Sequence, residues 1–157
     1  MSKHLEIERK FLVKKLPDGW RKQPHSKIIQ GYFPMGSRRI ELRLRRKGAR
    51  HFLTIKAGRG ETRLEEEVAL KKDTFDSLWP LTNGKRVSKK RYRIPCDRRT
   101  IELDVYEGPH RGLVTADVEF GSQRELESFR IPDWFGRELT GNMRYTNESL
   151  AKRQALP

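Results

Sequence analysis

The sequence predicts an α+β protein dominated by one antiparallel β-sheet of eight strands, with a few peripheral helices. Eight stretches alternate apolar and polar residues with a period of two, which is typical of strands with one buried face. Short turns join most of them, as expected for antiparallel neighbours. The chain has 157 residues, so we assign residues 1–157 to a single domain. An eight-stranded sheet closes into a barrel or tunnel, and a two-sheet sandwich remains the alternative.

The first predicted strand illustrates the pattern. Phe11 and Val13 fall on one face, whereas Glu8 and Lys10 fall on the other. The stretch Gly58 to Gly60 indicates a hairpin between the fourth and fifth strands. The eight predicted strands are His4–Val13, Lys27–Phe33, Arg39–Arg46, His51–Ala57, Thr62–Leu70, Val87–Ile94, Arg99–Tyr106 and Leu113–Phe120.

Three short helices complete the prediction. Asp73–Leu78 has an apolar side, and Asp73 is the expected cap. Ser122 and Glu125 have the spacing of a capping box, which predicts a helix to about Phe129. Ile131–Gly136 is predicted to be a loop, and Thr146–Ala155 a C-terminal helix.

Composition narrows the possible partners. The formal net charge is +14, from 35 Lys and Arg against 21 Asp and Glu, which favours anionic partners. No apolar run reaches the length of about 18–20 residues that spans a bilayer, so no membrane partner is expected. Cys96 is the single cysteine, which excludes an intrachain disulfide and favours a reducing, cytoplasmic location.

The charged faces of the predicted strands are sorted by sign. Residues at i and i+2 on a strand lie about 7 Å apart on the same face. Neighbours of like charge repel unless an ion of opposite sign lies between them, so acidic pairs indicate Mg²⁺ or Mn²⁺ and basic pairs a multiply charged oxyanion. The acidic pairs are Glu6/Glu8, Glu65/Glu67 and Asp117/Glu119, and the basic pairs are Arg43/Arg45 and Lys89/Arg91, with Lys10, Lys56 and Arg63 added singly. Together they predict a polyphosphate site.

In this pattern the chain resembles the CYTH superfamily, the triphosphate tunnel metalloenzymes. The resemblance begins at residues 6–12, which match a Glu-x-Glu-x-Lys signature, and it continues in order along nearly the whole chain. The other matching segments are Gln30-Gly31-Tyr32, Glu41–Arg45, Thr54-Ile55-Lys56, Arg63–Glu67, Lys89–Tyr92, Glu102-Leu103-Asp104, Val118-Glu119-Phe120 and Arg144–Asn147. The short length and Trp134-Phe135-Gly136 are most similar to the compact bacterial branch of inorganic triphosphatases.

The resemblance implies a closed eight-stranded tunnel that binds a triphosphate and a divalent metal, Mg²⁺ or Mn²⁺. By matched position, the metal set would be Glu6, Glu8, Asp117 and Glu119. The phosphate clamp would be Lys10, Arg43, Arg45, Lys56, Arg63, Lys89 and Arg91. Glu65 and Glu67 would orient water or support the metal, and the resemblance implies a catalytic Lys10–Tyr32 pair. We expect cations near Tyr32 to favour its ionised form.

The implied function is hydrolysis of a phosphoanhydride bond in a small-molecule polyphosphate, with inorganic tripolyphosphate first. Thiamine triphosphatase and class IV adenylate cyclase are alternatives with the same fold. A nucleic-acid-binding module is an alternative of a different class, because Lys85–Arg93 is strongly basic. That segment alternates and contains a single aromatic residue, so it lacks a stacking surface for bases and no nucleic acid is expected. The chain is expected to be a monomer or a homodimer.

Overall fold

The structure, a computed structural model, describes residues 7–36, 40–57 and 64–157. Within these ranges the chain forms one sheet of nine antiparallel strands in the order β5-β4-β3-β2-β6-β7-β8-β1-β9. The strands are β1 Ile7–Val13, β2 His25–Tyr32, β3 Ile40–Lys47, β4 Arg50–Ala57, β5 Leu64–Leu70, β6 Arg86–Cys96, β7 Arg99–Tyr106, β8 Val114–Phe120 and β9 Phe135–Glu138. The predicted antiparallel class is confirmed, although among the described residues the sheet ends at β5 and β9 and does not close.

Strand β9 corrects the prediction of a loop at Ile131–Gly136. It pairs with the outer edge of β1, with a shift in register between Phe11 and Val13. Flanking hydrogen bonds extend the pairing, from Lys14 N–H to Trp134 O at 3.0 Å and from Leu139 N–H to Lys10 O at 2.7 Å. Four residues are too few to display strand periodicity, so the backbone of β1 decides this element rather than local pattern.

Three short helices lie around the sheet, α1 at Lys72–Leu78, α2 at Gln123–Ser128 and α3 at Asn147–Arg153. The Ser122 side chain accepts a hydrogen bond from the Glu125 amide, which confirms the predicted cap of α2. The cap predicted for α1 is wrong, because the helix begins one residue earlier and Asp73 lies within its first turn. Thr146 caps α3 by accepting from Ser149 N–H at 3.2 Å.

The apolar core lies mainly on one face of β1, β6, β7 and β8. Phe11, Ile101, Leu103 and Val118 are almost completely buried there, and Phe135 closes over Phe11 with ring centroids 4.8 Å apart. Burial of these side chains is the main stabilising term of the sheet, at roughly 1.5–3 kcal/mol for each large apolar residue.

A second core cluster attaches α3 to the sheet. Leu150 and Ala151 are fully buried against Tyr32 and Tyr106. His110 is also buried, and its Nε2 lies 2.6 Å from the carbonyl oxygen of Leu150. The C-terminal helix is therefore fixed against the sheet by both apolar contacts and a hydrogen bond.

Gly31 is required where a helical turn packs on β2. A Cβ atom at this position would lie 2.3 Å from Thr82 Oγ1 and 2.8 Å from the Trp79 ring. Only glycine lets the backbone approach this closely, which explains a glycine inside a strand.

Candidate active site

The sheet register places the predicted charged rows on one continuous face. Lys10 pairs with Asp117 across β1 and β8, and Asp117 pairs in turn with Glu102 of β7. Towards the other edge of the sheet, in β3, β4 and β5, Arg43 pairs with Thr54 and Thr54 pairs with Glu67. Because residues two apart share a face, these pairings align the sorted charges of seven strands, while β2 contributes Gln30 and Tyr32 to the same face.

Asp104 is the electrostatic centre of this face. It is completely buried and accepts from Lys89 Nζ at 2.6 Å. Arg91 donates a bidentate pair of hydrogen bonds to the same carboxylate, from Nε to Oδ1 at 2.7 Å and from Nη2 to Oδ2 at 2.8 Å. Burial alone would raise the pKa of Asp104, but Lys89 and Arg91 outweigh it and hold the pKa well below the usual range.

Asp104 was missed as a site residue, although it lay in a matched segment. Its spacing of two from Glu102 puts both carboxylates on the charged face of β7, opposite Arg91 and Arg93 in the register. An acidic row on the strand beside a basic row was the signal that could have identified it.

Lys89 and Arg91 respond differently to this burial. Desolvation lowers the pKa of Lys89 to about 8, even though Asp104 favours its charged form. Desolvation also acts on Arg91, but its contacts with Asp104 and Glu102 raise the pKa of the guanidinium above its ordinary value. Arg91 therefore stays charged, whereas Lys89 is poised to exchange a proton at mildly alkaline pH.

The carboxylates of β1 and β8 lie together at the other side of this network. Desolvation, followed by the charge and hydrogen bond of neighbouring Asp117, raises the pKa of Glu8 to about 8, although the residue keeps access to solvent. Asp117 is buried, with Lys10 Nζ at 3.7 Å and Arg91 Nη2 at 3.9 Å. Its Oδ1, the atom that faces Lys10 Nζ, has no hydrogen-bond partner.

A divalent cation fits the chemistry of this pair. Two carboxylates held close together repel each other, and a divalent cation bound between them relieves that repulsion. Glu119 lies two residues from Asp117 and adds its charge to the field at Glu8. Among the described residues no three acidic, histidine or cysteine side chains converge as a metal group. Glu6, the other predicted ligand, lies outside the described residues.

The basic residues of β3 and β4 occupy the far side of the same face. Arg45 Nη1 lies 3.8 Å from Glu67, and Lys56 Nζ lies 3.5 Å from Glu65. The Nε atoms of Arg43 and Arg45 are buried without a hydrogen-bond partner. Desolvation and the charges of Arg43 and Arg91 lower the pKa of Arg45. These guanidinium groups have donor capacity that an oxyanion would satisfy. Arg63, the remaining predicted clamp residue, lies outside the described residues.

Burial decides the acidity of Tyr32. Its side chain is 2% exposed, and its hydroxyl accepts from Gln30 Nε2 at 3.2 Å. Burial raises the pKa of Tyr32 to about 12, and the neighbouring Arg43 only partly offsets this. Arg43 therefore favours the ionised form of Tyr32, as expected, but burial outweighs it and the net shift of the pKa is upward. Among the described residues no hydrogen bond joins Tyr32 to Lys10, which lies near Asp117 and Tyr145 instead.

Two cavities lie at this face. One, of about 240 Å³, is lined by Glu8, Lys10 and the segment from Leu139 to Thr146. The other, of about 130 Å³, is lined by Lys47, Arg91, Arg93 and Glu102 and by residues 24–26. Lys10 lines the first cavity and Arg91 the second, and both approach Asp117, so Asp117 lies between the two cavities.

The nine-stranded antiparallel sheet and its sign-sorted face define a protein with the triphosphate-tunnel type of fold. A sequence profile of the CYTH domain matches residues 4–155. The chain belongs to the CYTH domain family.

Two curated relatives carry the description inorganic triphosphatase. The protein from Nitrosomonas europaea is 43% identical over 149 residues, which cover 93% of this chain and 96% of the relative. The protein from Acetivibrio thermocellus is 30% identical and covers 94% of this chain and 93% of its own.

Solved structures agree with this assignment. A crystal structure of an inorganic triphosphatase superposes with a TM-score of 0.76 at 40% identity, covering 94% of both chains. A putative adenylate cyclase from Bacillus halodurans superposes with a TM-score of 0.57 at 18% identity, over 91% of this chain and 100% of that one, which supports the fold alone. Within the described ranges no helix has the length and apolar character needed to cross a membrane.

Proposed function

We propose that this protein is a divalent-metal-dependent hydrolase that cleaves inorganic tripolyphosphate on the charged face of its sheet, in the cytoplasm. The observation that carries the proposal is the arrangement around Asp117. This carboxylate lies beside that of Glu8 and near the cationic groups of Lys10 and Arg91. Two relatives described as inorganic triphosphatases, one of them 43% identical, support the choice of substrate.

The acidic end would hold Mg²⁺ or Mn²⁺. Glu8 and Asp117 supply oxygen donors, and Glu6 and Glu119 extend the set by their spacing of two in the sequence. The bound metal would polarise a phosphoryl oxygen and lower the pKa of coordinated water. The raised pKa of Glu8 and the lack of a hydrogen-bond partner at Asp117 Oδ1 support a site completed by a cation.

The basic rows would bind and orient the substrate. Arg43 and Arg45 have unused Nε donors, and Lys10, Lys56, Lys89 and Arg91 bring further positive charge to the same face. Arg63 belongs to this set by sequence. Positioning of the polyphosphate substrate and neutralisation of charge on its phosphoryl oxygens supply most of the catalysis in phosphoryl transfer.

Glu65 and Glu67 are candidates for orienting water. Glu67 accepts from Thr54 Oγ1 at 3.2 Å, and Glu65 lies near Lys56, so both carboxylates already have partners on this face. The neutral Tyr32 would act as a hydrogen-bonding group beside Arg43 and not as a base in the ordinary pH range.

A phosphate-release screen tests the proposal. Tripolyphosphate, pyrophosphate, ATP and thiamine triphosphate would be compared with Mg²⁺, with Mn²⁺ and with excess EDTA. We expect tripolyphosphate to be preferred and activity to require metal. Preference for thiamine triphosphate, or production of cyclic AMP from ATP, would replace the proposed substrate, and no activity with any of the four would refute hydrolysis.

A further inference from the structure

The C-terminal segment contacts two lysines of the candidate site. Lys10 Nζ donates to the carbonyl oxygen of Tyr145 at 3.5 Å. Lys89 Nζ donates to Asn147 Oδ1 at 3.2 Å, and the Tyr106 hydroxyl donates to the same oxygen at 3.0 Å. Of the two contacts with lysine, the one at Asn147 depends on a side chain and is therefore open to substitution.

The orientation of the Asn147 amide follows from its partners. An ammonium group only donates, so the atom facing Lys89 must be the amide oxygen. That oxygen accepts two hydrogen bonds, which matches its two lone pairs. Both donors are buried, with Lys89 1% and Tyr106 2% exposed, so no bulk solvent replaces this acceptor.

The position of Asn147 is set by α3 and not by the charged face itself. Asn147 is the first residue of the helix, directly after the Thr146 cap. The same helix is held by buried Leu150 and by its carbonyl contact with His110. A well-anchored element therefore presents one neutral acceptor to the lysine.

We propose that Asn147 is a positioning residue that acts through Lys89. Lys89 donates one proton to Asp104 and a second to Asn147, and its third proton remains for a phosphate oxygen. Without Asn147 the buried ammonium group would keep Asp104 as its acceptor, and its other two protons would no longer be directed by a second one. The inference rests on the proposed function, because it assigns Lys89 to phosphate binding.

The choice of an amide rather than a carboxylate follows from the same geometry. Asp104 already neutralises one positive charge at this point, and a second carboxylate would repel a polyanion. An amide oxygen fixes the lysine and leaves the net charge of the site unchanged. We therefore expect Asn147→Asp to keep the hydrogen bonds but to weaken substrate binding.

The test is a double-mutant cycle on tripolyphosphate hydrolysis with Asn147→Ala, Lys89→Ala and the double variant. One hydrogen bond to a charged group corresponds to roughly a ten- to hundredfold change, so Asn147→Ala should lower kcat/KM by about tenfold or more. In the Lys89→Ala background the same change should alter kcat/KM by less than about twofold. Ser149→Ala, in the same first turn but without contact to Lys89, is the control for helix stability.

Asn147→Asp separates position from charge. It is isosteric with asparagine, and we expect a raised KM with kcat close to that of the wild type. Equal losses in kcat for Asn147→Asp and Asn147→Ala, fully additive effects with Lys89→Ala, or an equal loss in Ser149→Ala would each overturn the inference.

A measurement without substrate keeps the inference independent of the proposed function. The ¹⁵N resonance of the Lys89 ammonium group should shift in Asn147→Ala and stay in place in Ser149→Ala. If the wild type fails to hydrolyse tripolyphosphate but this shift is seen, the proposed function fails while the positioning of Lys89 stands. An unchanged resonance in Asn147→Ala would refute the positioning role.

Discussion

Replacement of Asp104 by asparagine perturbs the centre of the charged network. The variant keeps the size of the side chain but removes the charge that faces Lys89 and Arg91. Lys89 and Asp104 have side chains 2% and 0% exposed, and that of Arg91 is 17% exposed. Removing one member of a buried ion pair costs about 3–5 kcal/mol, because the remaining charge is left without compensation.

This loss of stability should be large and should depend on pH. For a chain of this size, about 3–5 kcal/mol lowers Tm by about 6–20 °C. In the wild type the pKa of Lys89 lies at about 8, below its value of 10.5 in the unfolded chain. The unfolded state therefore binds more protons between these values, and the contribution of Lys89 to stability rises with pH across that window. Loss of Asp104 lowers the pKa of Lys89 further, so the rise should begin below pH 8 in Asp104→Asn.

Urea unfolding at pH 6 and pH 9 checks both expectations, with the free energy of unfolding taken at constant m. Glu107→Gln is a matched control, because Glu107 pairs with Lys27 at 2.8 Å on the surface, where the two side chains are 28% and 50% exposed. Such a pair contributes at most about 1 kcal/mol. A cost in Asp104→Asn no greater than in Glu107→Gln, or the same cost at both pH values, would refute the reasoning.

Three further predictions concern the metal, Glu8 and Tyr32. Excess EDTA should abolish hydrolysis of tripolyphosphate and Mg²⁺ should restore it, whereas full activity in EDTA would contradict the metal site. The folded pKa of Glu8, about 8, lies above its value of 4.5 in the unfolded chain, so the metal-free protein should lose stability as pH rises from about 4.5 to 8. Thermal melts should show this loss in the wild type and not in Glu8→Gln, and added Mg²⁺ should remove it. Because Tyr32 stays protonated to about pH 12, Tyr32→Phe should leave the pH–rate profile unchanged up to pH 10. The same change should lower the free energy of unfolding by about 1–3 kcal/mol, because it leaves the Gln30 amide unpaired. Loss of activity on the alkaline side of the profile would count against this assignment.

Periodicity predicted most of the strands because the two faces of the sheet have opposite chemistry. Alternation such as that from Ile40 to Lys47 in β3 appears directly in the sequence. β9 was missed because its four residues depend on the edge of β1, and the α1 cap was misassigned because an aspartate near a helix start fits several positions. Register and order of strands required the structure, since a pattern of period two specifies a face but not a neighbour.

The candidate site was predictable in charge but not in depth of burial. The rows of like charge identified Lys89 and Arg91 from sequence. The central place of Asp104 in the charged network required the structure, which shows its complete burial and its three hydrogen bonds. Tyr32 shows the same limit, because its acidity is decided by desolvation, which a sequence does not display. Asn147 was visible as a helix entry, but its contact with Lys89 depends on how α3 docks.

The central claim, that one face of the sheet carries the chemistry, is tested most directly on adjacent arginines of β3. Arg45 lies on the charged face opposite Gln30, and Arg46 is the next residue and points to the other face. We would measure kcat/KM for tripolyphosphate with Mg²⁺ in Arg45→Ala and Arg46→Ala. Loss of a charged hydrogen bond to substrate should lower the value by about ten- to a hundredfold in Arg45→Ala, with a change of less than about twofold in Arg46→Ala. Equal values in the two variants would contradict the account.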